Sequence, residues 1–450
     1  MWLSLSSFLT SFFRSSLKAT LHASAFSDVY QNTTFMTGAV EGSRAAKGIF
    51  RSLRIFNYRV WAAGSLVSNI GTWMQRTAQD WLVLTQLTHH NASAVGTVMA
   101  LQFGPQILLL PWTGFAADHF NQRKMLMLTQ ATMGVLAILL GLLTICGVVQ
   151  LWQVYIFAFV FGCASAFDAP VRQTFVAELV GDADLSNAVA LNSTSFNAAR
   201  MVGPAIAGLT IASVGTGWAF LINGISFVAV LVSLSLFRVK DLHTRARALR
   251  TRGSFSEGFR YVWARDDLKA SLIMLFLIGT FGLNFPIFLS TMAVGVFHAD
   301  ARGYGLLSSF MAIGTITGAL LAAGRESPKF SSLLVGSTVF GIGCLLAAIA
   351  PDYWLFAAAL VVIGIAALTF MNTSSSLMQL STEPAMRGRV MALRVGVALG
   401  GTPIGAPIVG WVADNCGPRW SLGVGAASGF LAALVGIYAI MQQKKNPRQI

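Results

Sequence analysis

Charged residues stand inside long apolar stretches of this 450-residue sequence, where an ionisable group is expensive and usually has a function. Arg76 and Asp80 are four residues apart, so a helix places them on one face. Asp80 is the one carboxylate that lies well inside such a stretch. With neighbouring Gln79, these residues form either a self-neutralising pair near a helix end or a protonatable site that lines a cavity. The sequence leaves both interpretations open.

Two further polar positions interrupt apolar stretches. Arg200 has no acidic residue four positions away, so it needs another partner. That partner could be Asp80, a backbone carbonyl or an anionic part of a bound solute. Asn284, followed by Phe285 and Pro286, breaks a later stretch and could admit polar contacts there.

Membrane-spanning helices are the elements that must position these residues. The sequence is 55% hydrophobic and 11% charged, whereas soluble domains carry about 25% charged residues. A helix crosses a bilayer with about 20 apolar residues and satisfies its backbone internally. We predict twelve spans, numbered 1 to 12, at residues 58–86, 93–117, 124–149, 151–169, 188–213, 217–237, 269–297, 304–324, 331–350, 353–378, 390–413 and 419–441.

The basic residues are distributed unevenly about these spans. The net charge is +14, and most Lys and Arg lie in the tails and in the connections after even-numbered spans. This asymmetry predicts that both termini and the even-to-odd loops are cytoplasmic, as in a multi-pass protein of a bacterial plasma membrane. The positive charge therefore sets the orientation of the spans in the membrane, and a nucleic-acid partner is excluded.

Metal and cofactor chemistry is not indicated. The four cysteines have no paired spacing, which argues against a zinc site or a disulfide framework. Of the six histidines, only His89 and His90 are adjacent, and no carboxylate accompanies them. We predict no metal and no cofactor.

Residues 114–124 connect spans 2 and 3 and read Gly-Phe-Ala-Ala-Asp-His-Phe-Asn-Gln-Arg-Lys. This stretch resembles the signature loop of the major facilitator superfamily, in which a glycine, three residues and an aspartate precede a short basic turn. His119 departs from the pattern, where Arg or Lys is usual, as does Asn121, where Gly is usual. Asn tolerates a left-handed turn better than most residues, so the second departure is mild. The matching residues are Gly114, Asp118, Arg123 and Lys124. The alternative is a hairpin with positive-inside charges and no further role.

The resemblance implies a gating latch. In an outward-open state Asp118 would lie against the amino end of span 11, where the helix dipole contributes ~0.3–1 kcal/mol. Arg123 would bridge to Asp168 or Glu178 near the end of span 4, where Arg172 also stands. In the second half, Gly324 stands where the aspartate would be, so the latch is expected on one side only.

Span 5 resembles the fifth-helix motif of drug:proton antiporters, whose pattern is G-x8-G-x3-G-P-x2-G-G. Gly203, Pro204 and Gly208 match this pattern, and alanines replace three of its glycines, at Ala190, Ala199 and Ala207. Small residues let helices approach closely, and proline adds a kink. Ordinary close packing in a helical bundle is the alternative.

The two halves of the sequence repeat each other. Gly203 matches Gly405 and Trp218 matches Trp420, as expected of two related bundles. We predict a tail at 1–53, disordered or interfacial, a six-helix bundle at 54–237, a cytoplasmic linker at 238–268, a second six-helix bundle at 269–441 and a cytoplasmic tail at 442–450. Ser254 and Glu257 form a capping box for a short linker helix, in which Phe255, Phe259 and Val262 share a face. Whether translation begins at Met1 or Met36 is left open.

The fold class predicted is an all-α integral membrane protein with twelve helices in two pseudo-symmetric bundles. Gly71–Arg76 and Arg387–Val390 resemble the bacterial branch that includes the enterobactin exporter and multidrug exporters. The resemblance implies alternating access and proton-driven export of a bulky amphipathic small molecule such as a drug or siderophore. It implies that the protein is not an enzyme and that it is a monomer. Its expected partners are the bilayer, the solute and protons.

The expected cavity lies between spans 1, 4, 7 and 10, with aromatic walls formed by Trp73, Trp81, Phe157, Phe281 and Phe285. Three alternatives remain: nutrient uptake on the same fold, a sensor or scaffold that does not transport, and a membrane-embedded lipid transferase. The last would need a cluster of His, Asp or Glu at the membrane surface, and the sequence shows none.

Overall fold

The structure is a computed structural model that describes residues 50–243, 255–323 and 329–445, all within one compact unit, Lys47–Ile450. In these ranges the chain is helical and forms no strand. Nine of the described helices, those of spans 3, 4 and 6 to 12, are long and apolar enough to cross a membrane. The predicted all-α membrane fold is therefore confirmed.

The remaining spans are also helical, but they are more polar or are broken. Span 1 is Phe56–Trp81, continued by a π-helical turn at Leu82–Leu87. Span 2 is divided into Ala92–Leu108, which contains Pro105, and Leu110–His119, which has Pro111 in its first turn. Spans 4 and 5 form one helical stretch, Leu151–Val214, which turns at Gly181 with φ +70°, a conformation that favours glycine.

The other helices follow the prediction to within a few residues. Span 7 comprises Asp266–Leu277, a π-helical turn at Ile278–Gly282 and Phe285–Gly295, so the interruption predicted at Asn284 is confirmed. The bounds of the others are Gln122–Ile145 for span 3, Thr216–Ser235 for span 6, Ala301–Ala323 for span 8, Phe330–Ile349 for span 9, Tyr353–Leu380 for span 10, Pro384–Cys416 for span 11 and Pro418–Lys445 for span 12.

The linker contains the expected short helix, Phe255–Trp263. Glu257 of this helix pairs with Arg389 at 3.2 Å, which docks it on span 11. Val262 is buried, whereas Phe259 is exposed and stacks on Trp263. Positions 259 and 262 lie about 60° apart around this helix, so Val262 occupies the buried part of that face and Phe259 its exposed edge. Ser254 and most of the predicted tail at 1–53 lie outside the described residues.

The two bundles meet at one end, and we call it the closed end. There span 2 crosses span 11 so closely that a Cβ on Gly96 would lie 2.4 Å from the carbonyl oxygen of Ala406. Span 5 crosses span 8 as closely, because a Cβ on Gly208 would lie 2.6 Å from the carbonyl oxygen of Ala301. Such contacts need residues without side chains.

The opposite end, which carries the basic even-to-odd loops, is open. A Cβ on Gly104 of span 2 or on Gly396 of span 11 would meet no atom within 4 Å. The second half of span 2, Leu110–His119, packs mainly against the helix Leu151–Val214 of its own bundle. Among the described residues, spans 2 and 11 are therefore farther apart toward the basic loops, where Ile107 lies 3.6 Å from a Cβ placed on Gly400.

Candidate functional site

A cavity of about 210 Å³ lies between the bundles, below the closed end. Spans 1, 2, 5, 7, 8 and 11 form its wall. The predicted set of spans 1, 4, 7 and 10 is therefore only half right. Spans 2, 5, 8 and 11 replace spans 4 and 10, because they converge where the bundles close. The polar side chains on the wall include Arg76, Thr77, Asp80, Gln102, Arg200 and Tyr304.

Two of the five predicted aromatic residues, Trp73 and Phe285, lie on the wall. Trp81 stands behind it, stacked on Tyr304 with ring centroids 5.8 Å apart. Phe157 and Phe281 do not line this cavity as the described residues form it. The wall contains two aromatic rings that the sequence reasoning missed, those of Phe103 and Tyr304.

Arg76 and Asp80 face the same cavity without a direct ion pair between them in the described part of the chain. The Asp80 carboxylate is 8% exposed and lies beside the Tyr304 hydroxyl of span 8. The guanidinium of Arg76 lies over the rings of Trp73 and Phe103, at 4.9 and 5.3 Å from their centroids. This geometry favours a cavity-lining role over a self-neutralised pair.

Arg200 reaches the same cavity from span 5. Its guanidinium lies 5.4 Å from the centroid of Trp73, so two guanidinium groups contact one indole. Gly203 makes this approach possible, because a Cβ there would lie 2.6 Å from the Cβ of Trp73. In the described part of the chain, neither Asp80 nor a backbone carbonyl is bonded to Arg200, and the bound anion stays a prediction.

The antiporter-like motif of span 5 lies at two interfaces. Gly203 packs against span 1, and Gly208 packs against span 8 of the other bundle. Ala199 and Ala207 are fully buried, whereas Ala190 is exposed near the open end. Pro204 lines the cavity, and a Cβ on Gly305 would lie 2.6 Å from its carbonyl oxygen. The motif therefore serves close packing and also the contact between bundles.

The other polar candidates lie off the cavity wall. Asn284 is fully buried at the break in span 7, where its amide donates to the carbonyl of Thr280 at 2.7 Å. Gln79 is 3% exposed and does not line the cavity.

In the state that the structure describes, Arg123 does not bridge to Asp168, so the bridge predicted for the outward-open state stays a prediction. Arg123 donates through Nε to the carbonyl of Leu234, at the end of span 6, at 2.8 Å. Asp168 is buried and faces span 3 six to seven residues beyond Arg123, a rise of about 10 Å along the helix. The carboxylate of Asp168 accepts hydrogen bonds from Thr129, Gln130 and Arg172 at 2.9, 2.7 and 3.0 Å.

The remaining latch residues, Gly114 and Lys124, lie on either side of the turn between spans 2 and 3, near the open end. Asn121 has φ −68° and caps span 3 by accepting from the amide of Lys124 at 3.0 Å, so the left-handed turn expected there does not form. Gly114 lies in the helix Leu110–His119, and Lys124 is exposed. The side chain of Asp118 and residue Gly324 lie outside the described part, and the pairing of Arg123 with Glu178 stays a prediction.

Comparison with known proteins decides the family. A family described as transmembrane secretion effector matches residues 48–449, nearly the whole chain. The chain belongs to the transmembrane secretion effector family. It is a transporter of the major facilitator superfamily, as the motifs of spans 2, 3 and 5 predicted.

Its relatives include carriers of siderophores and drugs. The chain is 25% identical to the staphyloferrin A transporter of Staphylococcus aureus over 79% of this chain and 89% of that one. It is 25% identical to the multidrug efflux pump Tap of Mycolicibacterium fortuitum over 78% and 88%, and 24% identical to the enterobactin exporter EntS of Shigella boydii over 80% and 85%.

A solved structure confirms the fold. A bacterial homologue of the human lysosomal transporter Spinster, in an inward-facing and unoccupied conformation, aligns with a TM-score of 0.65 at 15% identity. The alignment covers 85% of this chain and 96% of that one.

Proposed function

We propose that this protein exports an amphipathic small molecule by alternating access through the cavity that holds Arg76, Asp80 and Arg200. The observation that carries the proposal is a polar, aromatic cavity that is closed at one end and open at the end with the basic loops. If those loops are cytoplasmic, as the positive-inside rule indicates, the cavity is ready to load from the cytoplasm. One chain supplies the cavity wall, so the proposal needs no second copy.

The related siderophore and drug exporters support outward transport of bulky solutes. The test uses inverted membrane vesicles from a strain that lacks its own exporters and carries this protein in its membrane. Three naphthalene solutes cover the charge types: 2-naphthyl glucoside, naphthalene-2-sulfonate and 2-naphthylmethylammonium. We expect accumulation of at least one of them inside inverted vesicles. Accumulation only in right-side-out vesicles would support nutrient uptake instead, and no movement in either would contradict transport of such solutes.

We further propose that protons drive export through Asp80. Protonation of Asp80 removes the negative charge that opposes Arg76 in the cavity. The free-energy difference between the inward-open and the outward-open conformation then changes, and their populations shift. The support is that Asp80 is the carboxylate on the cavity wall in the described chain and that it is largely screened from solvent.

The test replaces Asp80 by Asn in proteoliposomes with an imposed pH gradient. We expect Asp80→Asn to keep solute exchange down a concentration gradient and to lose accumulation driven by the pH gradient. Asp241→Asn is the control, since Asp241 is exposed and remote from the cavity. An Asp80→Asn protein that accumulates solute against its gradient with unchanged pH dependence contradicts the coupling role.

A further inference from the structure

We propose that the cavity selects amphipathic anions, with an anionic group held by Arg76 and Arg200 and an apolar or aromatic body against Trp73, Phe103 and Phe285. This inference rests on the proposed function, because it names the substrate class of the same cavity. Three independent features of the site carry it: the balance of charge, the free hydrogen-bond donors and the aromatic surface beside them.

The charge balance of the cavity is positive. Among the described residues on its wall, Arg76 and Arg200 carry positive charge and Asp80 carries negative charge. Two cations and one ionised carboxylate leave an excess of one positive charge, and protonation of Asp80 increases it to two. A charge in a poorly hydrated space is costly unless it is paired. A bound monoanion would compensate the excess, whereas a cationic solute would enlarge it.

The donors of the two guanidinium groups are available to a ligand. In the described chain, neither Arg76 nor Arg200 donates a hydrogen bond to a protein acceptor, and Nε of Arg76 is buried without a partner. A guanidinium presents five N–H groups in a planar fork that matches carboxylate, sulfonate or phosphate oxygens. Bonds of this kind, with charge on both partners, are the strongest that such a cavity can offer.

The aromatic surface lies directly beside these donors. Both guanidinium groups lie over the ring of Trp73, and Arg76 also lies over Phe103. Phe285 and Leu289 face them from span 7. A solute with an anionic head and an apolar body can therefore place each part against a matching surface in one pose.

A third buried guanidinium, that of Arg394, lies in span 11, about two helical turns before the cavity-lining Thr402. It is 8% exposed and donates to the carbonyl of Met371 at 2.7 Å. Its Nε has no partner, and it forms no ion pair within the described ranges. Positive charge without nearby carboxylates raises the local concentration of anions.

This charge balance also gives export a source of energy. With Asp80 ionised, the cavity carries no net charge when a monoanion is bound and one positive charge when it is empty. The empty cavity must return inward for the next cycle. An inside-negative membrane potential favours that return.

The test measures binding of two solutes that share a ring and differ in charge. Purified full-length protein in nanodiscs of phosphatidylcholine, which has no net charge, is dialysed against naphthalene-2-sulfonate or 2-naphthylmethylammonium, and empty nanodiscs give the background. We expect the wild-type protein to bind the sulfonate at least about tenfold more tightly than the ammonium, because only the sulfonate can accept hydrogen bonds from the two charged guanidinium groups. This comparison needs no variant, so it does not depend on whether a variant folds.

Variants then locate the site. Arg76→Gln and Arg200→Gln should each weaken sulfonate binding by about tenfold or more, and Arg76→Lys should weaken it less. Arg59→Gln is the matched control, because it removes an exposed arginine of the same helix as Arg76, remote from the cavity. Equal affinity for the two solutes, tighter binding of the ammonium or an unchanged affinity in both glutamine variants would overturn the proposal.

Failure of this inference differs from failure of the proposed function. Transport of the neutral or cationic naphthalene solute without preference for the sulfonate would overturn anion selectivity and leave export intact. Selective binding of the sulfonate without movement of any solute in vesicles would overturn export and leave the anion site intact.

Discussion

Asp414, at the carboxyl end of span 11, caps the amino end of span 2 in the other bundle. Its carboxylate accepts hydrogen bonds from the amide of Ala92 at 2.6 Å and from the amide and hydroxyl of Ser93 at 2.8 and 2.5 Å. An acidic residue opposes the dipole of its own helix at the carboxyl end and complements the amino end of another. This contact therefore stabilises the closed end.

The cap at Asp414 mirrors the latch predicted for Asp118. Asp118 stands at the carboxyl end of span 2 and is predicted to meet the amino end of span 11 when the other end closes. The same two spans would thus carry reciprocal caps, one at each end. If the two bundles rock as rigid bodies, only one cap can form at a time, and the two states would exchange one cap for the other.

Removal of the closed-end cap should shift the protein toward the state open at that end. Asp414→Ala loses a cap worth about 0.5–2 kcal/mol, which changes the ratio of the two states by about 2- to 30-fold. Hydrogen exchange followed by mass spectrometry should show faster exchange of the amides of Ala92 and Ser93. Asp300→Ala is the control, because Asp300 caps Gly303 within its own helix. Equal protection of residues 92–94 in the wild type and in Asp414→Ala would contradict this role.

A side chain added at the contact between spans 2 and 11 should block closure. Gly96→Val would place Cβ 2.4 Å from the carbonyl of Ala406, and the backbone there cannot yield without separating the bundles. We expect transport to be lost while the protein still folds, because the contact joins bundles rather than building either one. The measurement is vesicle transport together with the thermal unfolding midpoint.

Gly104→Val is the matched control for that experiment. It makes the same substitution in the same span, where a Cβ would meet no atom within 4 Å. It should keep most of the transport activity. Similar losses in both variants would indicate a general effect of valine on span 2 rather than a blocked closure.

Asp168 should prove to be a stability residue of the first bundle. Asp168→Ala leaves Thr129, Gln130 and Arg172 without their common acceptor, and the loss of a buried charged acceptor costs about 1–3 kcal/mol. A lower thermal unfolding midpoint is expected. Asp266→Ala is the control, since its pair with Lys269 is half exposed and such pairs contribute little. An unchanged midpoint with altered transport would restore a gating role.

The sequence by itself determined the elements and the family. Long apolar runs predicted most spans to within a few residues, although the helix of span 4 continues to Gly181, and Asn284 located the break in span 7. Residues 114–124 indicated the superfamily, and Gly203, Pro204 and Gly208 indicated the resemblance to drug:proton antiporters. These features are local, so spacing along the chain is enough to detect them.

Only the tertiary structure decided which residues meet. Asp168 turned to Arg172 and span 3 rather than to Arg123, and spans 2, 5, 8 and 11 entered the cavity wall in place of spans 4 and 10. In a membrane protein both the lipid-facing and the interior surfaces of a helix are apolar, so hydrophobic periodicity does not tell which face meets which helix. Asp414 and Ala92 are 322 residues apart in sequence. Their contact depends on how two bundles close, and no local pattern encodes that.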